Sequence, residues 1–187
     1  MIYLIRHGQT ELNCRRVIQG RSDYPLNENG IAQAREAAKK LNGIAFDAVY
    51  SSPLIRAIQT AKLIAPDAVP LMDDRLTDMD YGPYEGVGIN ALPREVSAYF
   101  RDFVHKPAPE GMEQLGSVMR RAGAFLDERC RTGGNILIVT HAIIMKGLLE
   151  HMTPEAFGSF WPRHMGNCAL YAASYAPGDA WSVPAEL

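Results

Sequence analysis

The chain lacks several things that would direct it to particular roles. It has three cysteines, at positions 14, 130 and 168. They offer neither an even disulfide framework nor a CxxC metal spacing, so the sequence predicts ordinary reduced thiols of a cytoplasmic protein. No apolar run reaches the roughly 18 residues of a membrane span, and nothing near Met1 has the layout of a secretory signal. Charge of one sign is not in excess: 19 Lys and Arg face 21 Asp and Glu, a net −2, which gives no electrostatic case for a nucleic-acid backbone. Internal repeats, low-complexity tracts and interdomain linkers are absent too.

What is present is a chain of 187 residues, 47% hydrophobic and 21% charged, with enough apolar content to offset ordering entropy. That length predicts one domain, 1–187. Its charge is unevenly spread: residues 1–62 carry 9 basic and 5 acidic side chains, residues 63–115 carry 4 and 10, and the remainder balances at 6 and 6. A basic first third suits an anionic ligand.

Ile2 to Ile5 reads as a buried strand that stops at Arg6-His7-Gly8. Asn27-Glu28-Asn29-Gly30 starts an amphipathic helix that Asn42-Gly43 ends. A strand over Phe46 to Tyr50 is followed by Ser51-Ser52-Pro53, with serine as cap and proline in the first turn of a helix to about Ala65. Ala68 to Met72 predicts a third strand. Residues 73–111 are acidic and rich in Gly, Pro and aromatics, with a helix expected over Leu92 to Phe103; this segment is the expected lid or specificity region. Leu115 to Leu126 predicts a helix closed by Thr132-Gly133-Gly134, and Ile136 to Val139 a fully buried strand. That strand leads through Thr140-His141 into a helix to about Met152, then a short helix over Pro154 to Trp161 and a last strand over Ala169 to Tyr175. Alternating strands and helices predict an α/β fold with a mainly parallel sheet.

Ligands of such sheets bind at the carboxyl ends of the strands. His7, His141 and Arg6 all stand there, and Arg56 lies just inside the helix after the second strand, so the four are expected to converge. Each alone has an ordinary reading: a hydrogen-bonded histidine, a solvated or capping arginine. Together, two guanidinium forks suit phosphate oxygens, and two imidazoles offer a nucleophile and a switchable donor. Zinc is the competing reading, but it lacks a third ligand beside the histidines and the arginines would repel it; no metal and no cofactor are expected.

The stretches Leu4-Ile5-Arg6-His7-Gly8-Gln9-Thr10 with Asn13, Gln19-Gly20, and Pro25-Leu26-Asn27 with Gly30 and Gln33-Ala34 carry a resemblance. Ser51-Ser52-Pro53-Leu54-Ile55-Arg56-Ala57 with Gln59-Thr60-Ala61, Tyr81-Gly82-Pro83-Tyr84-Glu85-Gly86, Ile138-Val139-Thr140-His141 and Asn167-Cys168-Ala169-Leu170 extend it. The set resembles the histidine phosphatase superfamily, the branch with cofactor-dependent phosphoglycerate mutases and small phosphatases, and its order follows the family over residues 4–141.

The resemblance implies a three-layer α/β/α, phosphoglycerate mutase-like fold and a phosphohistidine intermediate. It makes His7 the nucleophile, held through one ring nitrogen by the Gly8 carbonyl, with Arg6, Arg56 and His141 on the phosphoryl oxygens. Asn13 would be a further contact, and Gln9 and Gly8 candidate substrate-binding residues. Asp78 stands where the family commonly has a glutamic acid donor; Glu85 and Asp80 are the alternatives. A short segment after Asp78, and Gln9 and Leu12 where mutases typically have Glu and Trp, favour a phosphomonoester hydrolase acting on a small phosphorylated metabolite over a mutase-type phosphotransferase. The Asp in the acid position keeps open a catalytically impaired phosphate-binding protein. Tyr24, Tyr81, Tyr84 and Tyr99 read as minor core or pocket wall, Met112, Met119, Met145 and Met152 as core filler, and His105, His151 and His164 as uninvolved. The sequence does not choose an oligomeric state.

Overall fold

The five residues Ile136–Thr140 (β4) are all buried, and this strand is central. β-Branched and leucine side chains on both faces are what a strand covered on both sides requires. A computed structural model describes residues 1–130, 133–175 and 181–187. Around β4 lie Ile2–Arg6 (β1) and Ala48–Ser51 (β2), both parallel to it, with Leu71–Met72 (β3) parallel to β2. On the other side, Leu170–Ala173 (β5) runs antiparallel to β1, and Ala185–Glu186 (β6) antiparallel to β5. The sheet order is β3-β2-β4-β1-β5-β6, a mixed sheet with a parallel centre.

Alternation along β4 sorts the core into two layers. Ile136 and Ile138 pack with Leu115–Arg129 (α5) and Ala142–Met152 (α6), while Leu137 and Val139 pack with Glu28–Lys40 (α2) and Ile55–Ile64 (α3). Helices therefore cover both faces of the sheet, giving a three-layer α/β/α fold. Of two further helices, Glu11–Cys14 (α1) and Arg94–Arg101 (α4), the second buries Val96 and Tyr99 in the same cluster as α5 and α6. No helix among the described residues is long and apolar enough to cross a membrane.

Several boundaries differ from the sequence reading. β2 starts two residues later than Phe46. α3 starts at Ile55, with neither serine as its side-chain cap and Pro53 ahead of the first turn. Ser52 is instead drawn to His141, as shown below. The third strand shrinks to two exposed residues at the sheet edge, and the expected helix over Pro154 to Trp161 is a single 3-10 turn at Pro154–Ala156. The last strand spans only Leu170–Ala173. Thr132, expected to help close α5, lies outside the described residues. The sequence reading missed α1, a one-turn helix made by a capping box between Thr10 and Asn13, and β6.

Candidate active site

The register of β1 on β4 builds the site. Arg6 pairs with Thr140, and the next backbone bond, His7 N–H to the Thr140 carbonyl at 2.9 Å, brings the following residues of both strands side by side. The His7 and His141 rings stand 5.0 Å apart. β2 adds to the same edge: Ser52 N–H bonds the Val139 carbonyl at 3.0 Å, and the Ser52 hydroxyl meets His141 Nε2 at 2.8 Å.

His7 Nδ1 lies 2.6 Å from the Gly8 carbonyl oxygen. A carbonyl only accepts, so Nδ1 carries the proton and Nε2 keeps its lone pair. Gly8 is held in turn, its N–H donating to Thr60 Oγ1 at 3.1 Å while the Thr60 hydroxyl donates to the Arg56 carbonyl at 2.8 Å. The backbone of α2 passes so close that a β-carbon on Gly8 would stand 2.4 Å from the Gly30 oxygen. Burial first, then the Arg6 and Arg56 charges, push the His7 pKa well below its usual value, so the ring stays neutral.

Arg56 is completely buried. Its guanidinium donates to the carbonyls of Ser22 at 2.8 Å and Gly20 at 2.6 Å, through Nε to His141 Nδ1 at 3.3 Å, and faces Asp78 Oδ2 at 3.4 Å. A donor from Arg56 on Nδ1 leaves the His141 proton on Nε2, where the Ser52 oxygen accepts it. Burial, then Arg56, depress the His141 pKa as well. Arg6 donates to the Met165 carbonyl, yet its Nε is buried with no acceptor among the described residues, as is Gln19 Nε2. α6 begins immediately after His141, so its N-terminal N–H groups and positive dipole end open on this edge.

Asp78 Oδ1 accepts the Met79 N–H at 2.9 Å, and Oδ2 stands 3.6 Å from His141 Nδ1. Burial raises its pKa, opposed chiefly by Arg56; desolvation wins, which favours the protonated acid. The segment bearing Asp78 is tied to β4 by the Thr140 hydroxyl, which donates to the Leu76 carbonyl at 2.8 Å. A cavity of about 620 Å³ opens above these groups, with Arg6, His7, Asn13, Gly20 and Asp78 among its walls.

Arg6, His7, Arg56, Asp78 and His141 thus meet at one edge, and Asn13 borders the same cavity. Gln9 is placed otherwise: its Oε1 accepts from the side-chain amides of Asn27 and Asn29, at 3.0 and 3.1 Å, at the start of α2, and it is not a cavity wall. Glu85 is also turned elsewhere. Its carboxylate accepts the Arg21 N–H at 2.8 Å, and the Ser22 N–H and hydroxyl at 2.9 and 2.6 Å. It fixes the loop that offers Gly20 and Ser22 oxygens to Arg56. Gly20 sits in the left-handed region at φ +54°, against Glu85 and Tyr81, where a side chain would be strained. Asp80 accepts the Gly82 N–H at 2.8 Å, away from the histidines.

Among the tyrosines, Tyr81 borders the cavity, Tyr99 packs on Phe103 and Tyr24 is exposed. The sequence reading passed over Ser52, Thr60 and Gln19 as site residues, although all three lie in its quoted motifs. Asn167, in its weakest motif, donates to the His7 carbonyl at 3.1 Å and to Asn13 Oδ1 at 3.3 Å.

Known proteins share this fold. The chain is 34% identical over 185 residues to a Yersinia pestis protein named probable phosphoglycerate mutase GpmB, covering 93% of this chain and 84% of the relative. Phosphoserine phosphatase of Entamoeba histolytica, solved with 3-phosphoglyceric acid, superposes with a TM-score of 0.85 at 27% identity, covering 99% of this chain and 93% of that one. A mutant of that phosphatase has also been solved with phosphoserine. Bacillus stearothermophilus YhfR superposes with a TM-score of 0.82 at 28% identity, over 97% and 94% of the two chains. Residues 2–184 match the profile of the histidine phosphatase superfamily (branch 1), and with the paired histidines and buried arginines at its sheet edge the chain belongs to that superfamily.

Proposed function

We propose that the protein hydrolyses phosphomonoesters of small metabolites through a phosphohistidine on His7. The observation that carries this reading is the Gly8 carbonyl on His7 Nδ1, which leaves Nε2 as a free nucleophile between buried cations. The unpartnered Arg6 Nε and Gln19 Nε2 support it, because buried donors without acceptors are costly and phosphoryl oxygens would satisfy them.

In the first step His7 Nε2 attacks phosphorus and the P–O ester bond breaks. Its electron pair goes to the leaving oxygen, which takes the proton from Asp78. In the second, Asp78 accepts a proton from water as the water oxygen attacks phosphorus, the P–N bond breaks and inorganic phosphate leaves. Arg6, Arg56, His141 and the start of α6 balance oxygen charge in both steps, which is the main demand of phosphoryl transfer. The arginines fill the place a metal would otherwise take, so activity should resist EDTA. Asn13 would contact the transferred group, and residues 73–111 of the single domain would set specificity.

The likeness to GpmB favours a second reading, transfer of the phosphoryl group between positions of phosphoglycerate. Phosphate release from a broad ester panel in EDTA, by wild type and His7→Ala, tests the first. Release that vanishes in the variant supports hydrolysis. Interconversion of 3- and 2-phosphoglycerate without release would replace it with the mutase reading, and ligand binding without either reaction would leave a binding protein.

A further inference from the structure

The chamber above His7 is built for more than a phosphate. Its roughly 620 Å³ falls in the range that encloses ligands of drug size, about 300–1,000 Å³. Its walls join polar groups, among them Arg6, His7, Asn13 and Asp78, to the apolar Val17, Ile18, Ile89, Leu92, Phe100 and Ile143. Backbone bonds fix part of this apolar wall, because the Ile89 N–H donates to the Arg16 carbonyl at 2.9 Å and the Ile18 N–H to Val87 at 3.0 Å.

Two cations interrupt the apolar wall, Arg16 and Arg101. Both side chains are exposed, and neither guanidinium has an ion pair or hydrogen bond among the described residues. Arg16 holds a left-handed φ of 55°, which residues with side chains seldom adopt, in the turn that leads from α1 to the Ile18 wall. Arg101 ends α4 beside Phe100. Asp78, deep beside His141, is the one carboxylate among the described walls. The outer chamber therefore joins apolar surface to uncompensated positive charge.

We propose that the substrate is a phosphomonoester with an apolar or aromatic body and a second anionic group, carboxylate or phosphoryl, that reaches Arg16 and Arg101. This rests on the phosphatase reading above and adds the substrate class. The body displaces water from the apolar wall, and the second anion fixes its far end.

Four primary alkyl esters with similar leaving alcohols test this: glycerol 1-phosphate, benzyl phosphate, 4-carboxybenzyl phosphate and 4-phosphonobenzyl phosphate. Benzyl phosphate should exceed glycerol 1-phosphate in kcat/KM, and one or both of the esters with a second anionic group should exceed benzyl phosphate by about tenfold, through KM. Whichever of the two wins identifies the second anion. That preference should fall to within about twofold of one in Arg101→Met and in Arg16→Gly, the latter suited to the left-handed backbone. Equal wild-type values, a preference that both variants retain, or glycerol 1-phosphate matching benzyl phosphate would overturn the proposal. If no ester is hydrolysed, the phosphatase reading has failed. Calorimetric Kd values for the same esters on His7→Ala then decide this proposal separately: the same ordering sustains it and equal affinities overturn it.

Discussion

The floor and the mouth of the cavity are made differently. The floor is built on strand ends in strict register, Arg6 against Thr140 and Ser51 against Val139, with Arg56 from the start of α3 and Asp78 from the segment bonded to β4; its arginines are tied to backbone oxygens and Asp78 to a backbone N–H. The mouth comes from the turn after α1, the 3-10 turn at Ile89–Ala91 with Leu92, and the eight-residue α4. Reactive groups must be held within fractions of an ångström, and a sheet edge does so by its ladder. A loop-built mouth can vary without moving the floor. On this account floor changes alter kcat by orders of magnitude, and mouth changes alter KM by small factors.

The largest effect expected is at Asp78. Asp78→Asn should lower kcat/KM, which reports the first step, by about 10²- to 10⁴-fold on alkyl esters, the usual worth of a general acid, and much less on p-nitrophenyl phosphate, whose leaving group needs no proton. Steady-state kinetics on both substrates checks this; equal losses would remove Asp78 from the acid role. The pH profile follows from the same groups. His7 must be neutral and its pKa is lowered, so the acidic limb should lie below the ordinary histidine value of about 6.5. Asp78 must be protonated and its pKa is raised, so the alkaline limb should lie above the ordinary carboxyl range, and a rate still climbing at pH 9 would contradict this.

Arg56→Met comes next, with a loss of about 10²- to 10³-fold in kcat, measured on the same esters. A loss confined to KM would make Arg56 a part of ground-state binding only. Glu85→Gln sharpens the boundary between the regions. It touches no reacting group, but it weakens the loop that presents Gly20 and Ser22 to Arg56, and should cost about tenfold or less in kcat/KM. Glu85→Asp should recover less than half of that, since the shorter side chain must hold the same N–H groups. In the mouth, Leu92→Ala should raise KM about threefold, the order of a single buried methylene, with kcat unaltered. A kcat loss there equal to that of Arg56→Met would erase the distinction.

The smallest effect is on stability. Both histidines are buried and their pKa values depressed, so below about pH 6.5 the unfolded chain binds protons that the folded chain refuses. Stability falls as pH drops through that range, by up to about 1.4 kcal/mol per unit for each histidine. Asp78 runs the other way: the folded chain keeps a proton that the unfolded chain releases, so its contribution fades as pH rises through the raised value. Thermal melts at pH 7 and pH 5 should show a smaller drop for His7→Gln than for wild type.

The same contrast decides what was readable in the sequence. His7 and His141 were legible because each directly follows a short apolar strand, and Arg56 because it falls in the first turn of the helix after β2. The layers were legible from the unbroken apolar run of β4. The mixed character of the sheet was not, because antiparallel pairing of β5 with β1 depends on a distant return of the chain. The role of Glu85 was hidden for a similar reason: its partners are about 63 residues away in sequence, and a carboxylate in a motif looks the same whether it faces substrate or backbone. Gln9 looked like a ligand contact from its place after the nucleophile, yet the Asn27 and Asn29 amides turn it to α2. Arg16 and Arg101 carry no periodic signal; only the folded mouth brings them to one wall.

The central claim is that His7 carries the phosphoryl group. The most direct measurement is rapid acid-free quenching of enzyme mixed with a turned-over ester, followed by mass spectrometry of the peptide that contains His7. The account predicts a phosphoryl group on His7, stable in alkali and lost in acid, and none in His7→Ala. A label on His141 or on a carboxylate, or turnover that persists in His7→Ala, would contradict it.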